Sequence, residues 1–565
     1  MARLQPETVE GRWVRLFPIL QWARSYDRAW LKGDIIAGIA VAALIIPKNL
    51  GYADIAGVPL QNGLYAAAVG AIVYALFGTS RQISTGPSSA LAAVAASAVA
   101  VAGITAIDQV ASFVALVTLI SGALFILVAV LKLGRIAQFL SRAVVTGFLF
   151  GAGLDVAIGE LPKITGTDAS GSNAIAELWS WLGTLGDSHT TSVVVGVVAM
   201  LTVFGLRAVA PRIPGALVLL VGGLLATWAF DLQAMGVALV GDIPRGLPSL
   251  EVPDLALLSE HALTTSAAAV ALVLIGFSQT AGDARAFAGK HRYQIDLDQE
   301  CLAQGAANIG AGIFQGMPVS TSLSASALND HSGARSGLAS LITGAIVLLT
   351  LLLLAPLFSG LPQPVLAALI IEAVVMGMMD LPEMRRLRKV KPFDFWIAVG
   401  AITGTLLFGV FAGVMIGIGL SLLWLVSVAT RPPMPLLGRD PDTKVFRELD
   451  EDPRREEIPG VAVLRLDGGL FFATSDALVD RMREVAVDRP DVRTIVLNCE
   501  GIHFIDSQGS ARIREIIERA ESSGRVLLLA RVKPEVRSVL ERDGVMDLIG
   551  AERIHETVIS AVESI

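Results

Sequence analysis

A lysine lies at the centre of one of the most apolar stretches of the chain, directly after a proline. The stretch reads LIIPKNLGYADIAG over residues 44–57, and its unusual members are Pro47 and Lys48. A lone charge at the middle of a bilayer costs at least about 2.5–3.5 kcal/mol on insertion scales, so a partner or a ligand is expected. Lys48 therefore indicates a site for a negative solute. The alternatives are an ion pair with Asp54 or another carboxylate, and a side chain that extends to the membrane surface.

Two other segments each contain glycine and proline, then a run of small hydroxyl residues, then a short apolar helix pattern. They read QISTGPSSALAA (82–93) and GMPVSTSLSASALN (316–329). A helix that begins inside a membrane presents unpaired N–H groups and the positive end of its dipole. Interrupted segments at matching places in two halves are typical of transporters with inverted repeats. The alternative is that the small residues only allow close helix packing.

Hydroxyl groups in these two segments can add donors to an anion site between the two helix starts. In the first segment they belong to Ser84, Thr85, Ser88 and Ser89. In the second segment they belong to Ser320, Thr321, Ser322, Ser324 and Ser326. A fixed cation would complete such a site.

The composition indicates that membrane helices position these residues. Of 565 residues, 53% are hydrophobic and 17% are charged, whereas soluble domains are about one quarter charged. Apolar runs of roughly 20 residues, long enough to cross a bilayer, occur at 109–131, 190–206, 214–230, 336–358 and 393–430. The formal charge of −7 does not indicate a nucleic-acid partner, and the two cysteines and six histidines lack the spacing of a metal site.

The charges of the loops predict how the chain lies in the membrane. Basic residues cluster at 132–142, 207–212, 285–292 and 385–391, whereas loops 156–189 and 231–264 are acidic or neutral. By the positive-inside rule, the basic loops are cytoplasmic. We expect about 14 segments with both termini inside. Residues 1–33 alternate tryptophan with arginine and lack the apolar core of a cleavable signal, so they are expected to rest on the cytosolic leaflet.

Three regions follow this first segment. Residues 34–430 are predicted to form the transmembrane region, in repeats of about 34–230 and 265–430. Residues 431–457 are charged and contain prolines, which is typical of a linker. Alternating strand and helix patterns over 458–565 predict a small cytosolic α/β domain.

Three stretches resemble the sequences of one transporter family. IPKNLGYADIAGVPLQNGLYAAAVGAIVYALFGTSRQISTGPSSA (46–90) and ARAFAGKHRYQIDLDQECLAQGAANIGAGIFQGMPVSTSLSASALN (284–329) resemble the sulfate permease (SulP) anion transporters. IVLNCEGIHFIDSQGSARI (495–513) resembles the STAS domain that is usually appended to them. The resemblance therefore extends over nearly the whole chain.

This resemblance implies an α-helical membrane fold of about 14 segments in two inverted seven-segment repeats, with a core domain and a gate domain. It also implies elevator-like alternating access, a homodimer, and small anions such as sulfate, bicarbonate, chloride, oxalate or dicarboxylates as substrates. We expect no cofactor other than a coupling proton or sodium ion. The implied site lies between the starts of the third and tenth segments. Carried onto this chain, its residues are Lys48, Tyr52, Ser84, Thr85, Ser88, Ser89, Gln279, Ser322, Ser324, Ala325 and Ser326.

The chain departs from the family pattern at three of these positions. Many members have glutamine at Lys48, a basic residue at Ala325 and glutamate at Gln279. We therefore expect that the fixed positive charge has moved from the tenth segment to the first, so that Lys48 replaces the base missing near residue 325.

Because residue 279 is a glutamine, it lacks the carboxylate that could couple transport to a proton or a sodium ion. A carboxylate elsewhere in the membrane region would have to take this role. Asp283 lies one helical turn further on, on the same face. Glu372 lies in the apolar sequence LAALIIEAVVMG. A buried carboxylate can bind a proton near neutral pH, so both are candidates for coupling, and either could equally be a structural partner.

The sequence favours a multi-pass secondary anion transporter of the inner or plasma membrane. The rivals are a channel-like anion conductor, a nucleobase permease of the same fold, and a membrane-tethered sensor that acts through its STAS-like domain. An enzyme is disfavoured, because the membrane part shows no nucleophile–base pair, metal cluster or phosphate loop. Ser507 lies where related bacterial regulators are phosphorylated. The alternative is that Asp506 and Ser507 cap the helix that begins near Gln508.

Overall fold

The computed structural model describes residues 17–133, 142–171, 173–210 and 213–565. The chain divides into two compact units, one ending at Ser421 and the other beginning at Leu422. The predicted interfacial segment is described from residue 17 onward and contains a short helix, α1 (Ile19–Arg24). Trp13 and its basic neighbours lie outside the described residues, as do parts of the basic loops around residues 135 and 212.

The first unit is a helical assembly in which one order of elements occurs twice. The first half contains α2 (Leu31–Ala56), α3 (Leu60–Phe77), β1 (Thr85–Pro87), α4 (Ser89–Ala102), α5 (Ile107–Val130), α6 (Arg142–Thr165), α7 (Ala174–Thr184), α8 (Thr190–Val209) and α9 (Gly215–Phe230). After α10 (Ala256–Glu260), the second half contains α11 (Ala262–His291), α12 (Leu297–Ile313), β2 (Val319–Thr321), α13 (Leu323–His331), α14 (Leu338–Leu353), α15 (Gln363–Met378), α16 (Leu381–Val390), α17 (Pro392–Phe408) and α18 (Val410–Ala429). The boundary between the two units falls within α18. In each half, the third segment is a short strand followed by a short helix.

The number of apolar helices agrees with the expected number of segments. Among the described residues, eight helices are long and apolar enough to cross a membrane, and four further apolar helices are shorter. Seven of these twelve helices lie in the first half and five in the second, and α12 and α13 bring the second half to seven. The interrupted third and tenth segments are therefore the short helices α4 and α13, as the glycine and proline in each segment predict.

Close helix packing in this unit depends on small residues. Helices α5 and α12 approach each other at Gly122 and Gly305, where a Cβ on either residue would lie 2.8 Å from the carbonyl oxygen of the other. Such close approach is typical of membrane helices, which gain little from burying apolar side chains against each other. The pair fixes α12 beside α5.

A buried carboxylate anchors the start of α12. Glu300 is 1% exposed. It accepts hydrogen bonds from the N–H groups of Thr79 (2.8 Å) and Ser80 (3.1 Å) and from the hydroxyls of Tyr74 and Thr79. These hydrogen bonds compensate the cost of removing the carboxylate from water. The loop before β1 is thereby fixed to α12.

The second unit is an α/β domain. It contains β3 (Leu436–Arg439), β4 (Phe446–Glu448), β5 (Val461–Arg465), α19 (Ser475–Asp488), β6 (Thr494–Asn498), α20 (Ser507–Ser522), β7 (Val526–Ala530), α21 (Pro534–Arg542), α22 (Val545–Ile549), β8 (Ile554–His555) and α23 (Val558–Glu563). The strand order is β4-β3-β5-β6-β7-β8, and β5 to β8 are parallel. The predicted alternation of strands and helices is therefore observed.

The structure corrects the prediction that residues 431–457 form a linker, because this segment contains two strands of the sheet, β3 and β4. Strand β3 pairs antiparallel with both β4 and β5. Edge strands commonly carry charged residues, which protect them from pairing with other chains. The charges and prolines of this segment therefore give it the composition of a linker, but it belongs to the folded domain, where Leu437 is buried.

Both cysteines, Cys301 and Cys499, are buried and free. Cys499 lies directly after β6, and burial raises the pKa of its thiol to about 12. Its thiolate is therefore scarce at neutral pH, and thiol reagents should leave it unmodified.

Asp506 caps α20 in the second unit. Its side chain accepts hydrogen bonds from the N–H groups of Gly509 (2.7 Å) and Phe472 (3.0 Å). We expect Asp506→Ala to destabilise the first turn of α20 by about 1 kcal/mol and to speed amide exchange there about fivefold. Hydrogen exchange of the full chain measures this effect. Ser507→Ala is the control, because Ser507 is exposed; equal exchange in both variants would contradict the assignment of the cap.

Candidate functional site

The two interrupted segments of the first unit meet. Strand β1 pairs antiparallel with β2, and the partners are Thr85 with Thr321, Gly86 with Ser320 and Pro87 with Val319. The N–H of Ser322 donates to the carbonyl oxygen of Ser84 over 3.1 Å. Helices α4 and α13 begin directly after these strands, so their N-terminal ends lie close together, as the sequence predicts.

Three of the predicted hydroxyl residues hold these helix starts in place. Ser88 caps α4 and Ser322 caps α13, and each hydroxyl accepts from an N–H three residues further on at 3.4 Å. Ser326 links the two segments, because its hydroxyl oxygen accepts from the N–H of Ser84 over 3.0 Å. These hydrogen bonds fix the direction in which both helix dipoles point.

Helix α11 supports β2 from the other side. The hydroxyl of Ser320 donates to Oε1 of Gln279 over 2.6 Å, and the hydroxyl of Thr321 donates to Oδ2 of Asp283 over 2.8 Å. Gln279 and Asp283 therefore share one face of α11, as their spacing predicts. Both hold the strand through its hydroxyl groups.

Lys48 lies in a small cavity between α2 and the two strands. Helix α2 continues through Pro47 without interruption. Of the predicted site residues, the cavity is lined by Lys48, Tyr52, Ser84, Thr85, Ser322, Ser324 and Ala325. Its volume is 20 Å³, which is room for roughly one water molecule. An anion such as sulfate can therefore enter only when the walls move apart.

Four predicted residues stand behind the cavity. They are Ser88, Ser89, Gln279 and Ser326, which belong to the helix starts and to the support of β2. These residues do not line the cavity. They position the helix starts and β2, which do.

Among the described residues, no group forms a hydrogen bond or an ion pair with the Lys48 ammonium. The predicted alternative of a pair with Asp54 is not found, because Asp54 pairs with Lys163. A buried ammonium attracts a negative group strongly. The carboxylate of Glu372 lies within electrostatic range of the ammonium, but it forms its ion pair with Arg207. Lys48 therefore keeps its hydrogen-bond donors for a ligand in the cavity.

A second cavity adjoins Lys48 on another side. It has a volume of 340 Å³ and shares Leu44 and Lys48 with the first cavity. Arg207 and Glu372 also line it, and Nη1 of Arg207 lies 2.7 Å from Oε1 of Glu372. The charge of Glu372 is therefore balanced by a guanidinium, whereas Asp283 has a hydroxyl partner.

A larger cavity lies elsewhere in the first unit. It has a volume of 770 Å³ between α1 and the loops at 78–81 and 293–298. Arg81 stacks over the ring of Tyr293 there, with its guanidinium carbon 5.7 Å from the ring centroid. None of the predicted site residues lines this cavity, so its size alone does not make it the site.

The sequence interpretation missed Asn49. This residue is 2% exposed and lines the cavity beside Lys48. Within the part of the chain that the structure describes, neither its side-chain nitrogen nor the hydroxyl oxygen of Thr85 has a hydrogen-bond partner. The signal in the sequence was a carboxamide in the middle of an apolar helix, next to the lysine.

An ion cluster between α2 and α6 was also missed. The Lys163 ammonium pairs with the carboxylate of Asp54 and, at 3.0 Å, with Oε1 of Glu160. Asp54 and Lys163 line a further cavity of 270 Å³. The cluster connects the helix that carries Lys48 to a helix of another part of the unit.

Comparison with known proteins identifies relatives along the whole chain. The profile of the Sulfate permease family matches residues 31–401, and that of the STAS domain matches residues 452–561. A probable sulfate transporter of Mycobacterium tuberculosis is 34% identical over 544 residues, which is 96% of each chain.

Two solved structures share the fold. The murine Solute Carrier 26 family member A9 anion transporter, in its inward-facing state, has a TM-score of 0.89 at 20% identity and covers 100% of this chain and 96% of its own. The transmembrane domain of the cyanobacterial bicarbonate transporter BicA has a TM-score of 0.60 at 21% identity, over 68% of this chain and 97% of its own. The predicted fold class, a helical membrane transporter with an α/β STAS domain, is confirmed.

Proposed function

The chain belongs to the sulfate permease family of anion transporters, and from this premise we propose that it is a secondary transporter of small anions that works by elevator-like alternating access. Sulfate and bicarbonate are the first candidate substrates, because relatives are a probable sulfate transporter and a bicarbonate transporter. The observation that carries the proposal is the Lys48 ammonium, which lies beside two helix starts and forms no hydrogen bond or ion pair with any described residue. Helix starts and a fixed cation together favour an anion.

The packing of the helices supports movement of the site as a body. Helix α2 packs mainly on α3 and α14, whereas α6 packs mainly on α15 and α17. The cavity residues belong to α2, β1 and the start of α13. We propose that these elements form part of the core, which moves past a gate formed by α6, α8, α9 and α15.

Uptake into proteoliposomes tests the proposal. The full chain is reconstituted, and the uptake of labelled sulfate, bicarbonate, chloride and oxalate is compared at two pH values, with and without sodium. A secondary transporter accumulates its anion against a concentration gradient when a coupling gradient is present. A channel-like conductor lets the anion only equilibrate, so accumulation separates the two.

A nucleobase permease of the same fold is disfavoured by the position of Gln279. A nucleobase site of that kind needs a carboxylate in the eighth segment to accept hydrogen bonds from the base. Residue 279 is an amide here, its carbonyl oxygen accepts from Ser320, and it does not line the cavity.

We propose Asp283 as the carboxylate that couples transport to protons. Glu372 forms an ion pair with Arg207, whereas Asp283 has no ion-pair partner among the described residues and accepts one hydrogen bond, from the hydroxyl of Thr321 on the strand beside the cavity. We expect Asp283→Asn to make anion uptake independent of external pH. Glu372→Gln should lower uptake without removing its pH dependence. Uptake profiles from acidic to alkaline pH measure both, and the reverse pattern would assign coupling to Glu372.

The oligomeric state and the membrane orientation of the chain are also proposals. We propose a homodimer in the inner or plasma membrane with both termini in the cytoplasm. The basic loops support this orientation. Mass measurement of the detergent-solubilised chain, and protease access from each side of sealed vesicles, test the two statements.

A further inference from the structure

We propose that Arg207 is a positioning residue of the anion site: by holding Glu372 in an ion pair, it keeps this carboxylate from taking the place of the anion at the Lys48 ammonium. This inference rests on the proposed function, because Lys48 is the cation of the proposed site. It goes further by assigning a role in anion affinity to a residue that does not line the anion cavity.

Three charged side chains meet at the second cavity. Lys48 of α2, Arg207 of α8 and Glu372 of α15 all line it. The charges of Arg207 and Glu372 both act on the Lys48 ammonium. One carboxylate therefore lies within reach of two cations, and the cation that it pairs with decides which one is left for a ligand.

The packing of α15 on α2 brings the carboxylate to the level of the ammonium. A Cβ built on Gly51 of α2 would lie 2.8 Å from Cγ1 of Ile370 on α15, so the two helices are in close contact there. Lys48 precedes Gly51 by three residues, which places both on one face of α2. Glu372 follows Ile370 by two residues. The two charges therefore lie beside the same helix contact.

The structure pairs Glu372 with Arg207. Nη1 of Arg207 donates to Oε1 of Glu372 over 2.7 Å. The side chain of Glu372 is 8% exposed and that of Arg207 is 51% exposed. A guanidinium is always charged and is more weakly hydrated than an ammonium, which favours it as the partner of a buried carboxylate. The pair therefore leaves the Lys48 ammonium to the anion.

Loss of Arg207 would leave Glu372 without its counter-charge. A buried carboxylate that loses its partner is strongly unfavourable, so a second cation within reach replaces the first. Among the described residues that line this cavity, Lys48 is that second cation. The carboxylate would then compete with the anion for one ammonium, and the anion would bind more weakly.

Binding of labelled sulfate to the purified full chain tests the proposal. We expect Arg207→Gln to weaken binding at least about tenfold, because Glu372 then occupies the ammonium. Arg207→Lys keeps a cation beside Glu372 and should stay within about threefold of the unaltered chain. Arg207→Gln/Glu372→Gln removes both charges and should bind sulfate as the unaltered chain does. Arg285→Gln is the matched control, since it removes the same charge from an exposed position of α11.

A further substitution at Lys48 separates this role from a structural one. Alone, Lys48→Gln should weaken sulfate binding about 10- to 100-fold. Added to Arg207→Gln, it should weaken binding by less than about threefold, because the ammonium is already occupied. Added to Arg207→Gln/Glu372→Gln, it should again have its full effect. A general loss of structure would weaken binding without this pattern.

Two results would overturn the proposal. One is equal sulfate binding by Arg207→Gln and the unaltered chain. The other is weak binding by Arg207→Gln/Glu372→Gln at an unchanged melting temperature, because Arg207 itself would then hold the anion. This double variant leaves neither charge of the pair uncompensated, so it decides the question even where Arg207→Gln fails to fold. If the unaltered chain binds none of sulfate, bicarbonate and chloride, the proposed function fails and this inference falls with it.

Discussion

Lys48→Gln is expected to lower anion uptake about 10- to 100-fold, because a hydrogen bond between charged groups contributes about 1.5–3 kcal/mol and 1.4 kcal/mol is a factor of ten. The ammonium lies beside the starts of α4 and α13 and has no partner among the described residues. Glutamine keeps a donor of similar length and removes the charge. The loss should therefore be one of affinity for the anion.

The stability of the same variant shows whether the charge serves the ligand. An unpaired ammonium in the membrane opposes folding. Lys48→Gln should therefore melt at the same or a higher temperature without anion, and sulfate should no longer raise that temperature. Lys32→Gln is the matched control, since Lys32 lies on the same helix and is exposed. It should transport and melt as the unaltered chain does.

A double substitution tests whether a positive charge on α13 can replace the one on α2. Ala325 lines the cavity opposite Lys48, near the start of α13. We expect Lys48→Gln/Ala325→Arg to regain part of the lost uptake, because a guanidinium there faces the same space. Rescue is partial, since the cavity is small and arginine is large. Normal uptake by Lys48→Gln alone would show that the charge has no role in transport.

The sequence was informative wherever the signal was local. Glycine and proline close to a run of small hydroxyl residues marked both interrupted segments, and a strand followed directly by a helix start formed at each. Lys48 was visible because a charge in an apolar helix is costly. In the second unit, short runs such as 494–498 are buried on both sides of a parallel sheet, and this gives them an unmistakable apolar pattern.

The partners of charges were not predictable, because they come from distant parts of the chain. Asp54 and Lys163 are 109 residues apart, and Arg207 and Glu372 are 165 residues apart. No periodicity of one helix indicates which side chain faces it from another. The state of Asn49 was hidden for the same reason, since an unpaired donor is recognised only when all its neighbours are known.

Reversing the charge of Lys163 is expected to have the second large effect. Lys163 compensates both Asp54 and Glu160, and the side chain of Glu160 is 7% exposed. Lys163→Asp would place a third carboxylate in this cluster and remove its cation. Removing one partner from a buried ion pair costs about 3–5 kcal/mol. The contact with Asp54 contributes less, because both side chains are partly exposed. We expect uptake to fall at least about tenfold and the variant to melt earlier.

Exchanging the charges of Asp54 and Lys163 shows whether the contact between them matters, or only the presence of a lysine at position 163. Asp54→Lys/Lys163→Asp keeps two carboxylates and one ammonium between α2 and α6, because Glu160 is unchanged. If the ion pair holds the helix of Lys48 against α6 in one position of the transport cycle, the double variant should regain uptake and melting temperature that Asp54→Lys and Lys163→Asp each lose. If the losses simply add, Lys163 acts on Glu160 alone and α2 moves without this constraint. The cluster matters for transport because Asp54 lies on the same helix as Lys48, so a contact that fixes Asp54 also fixes the anion site.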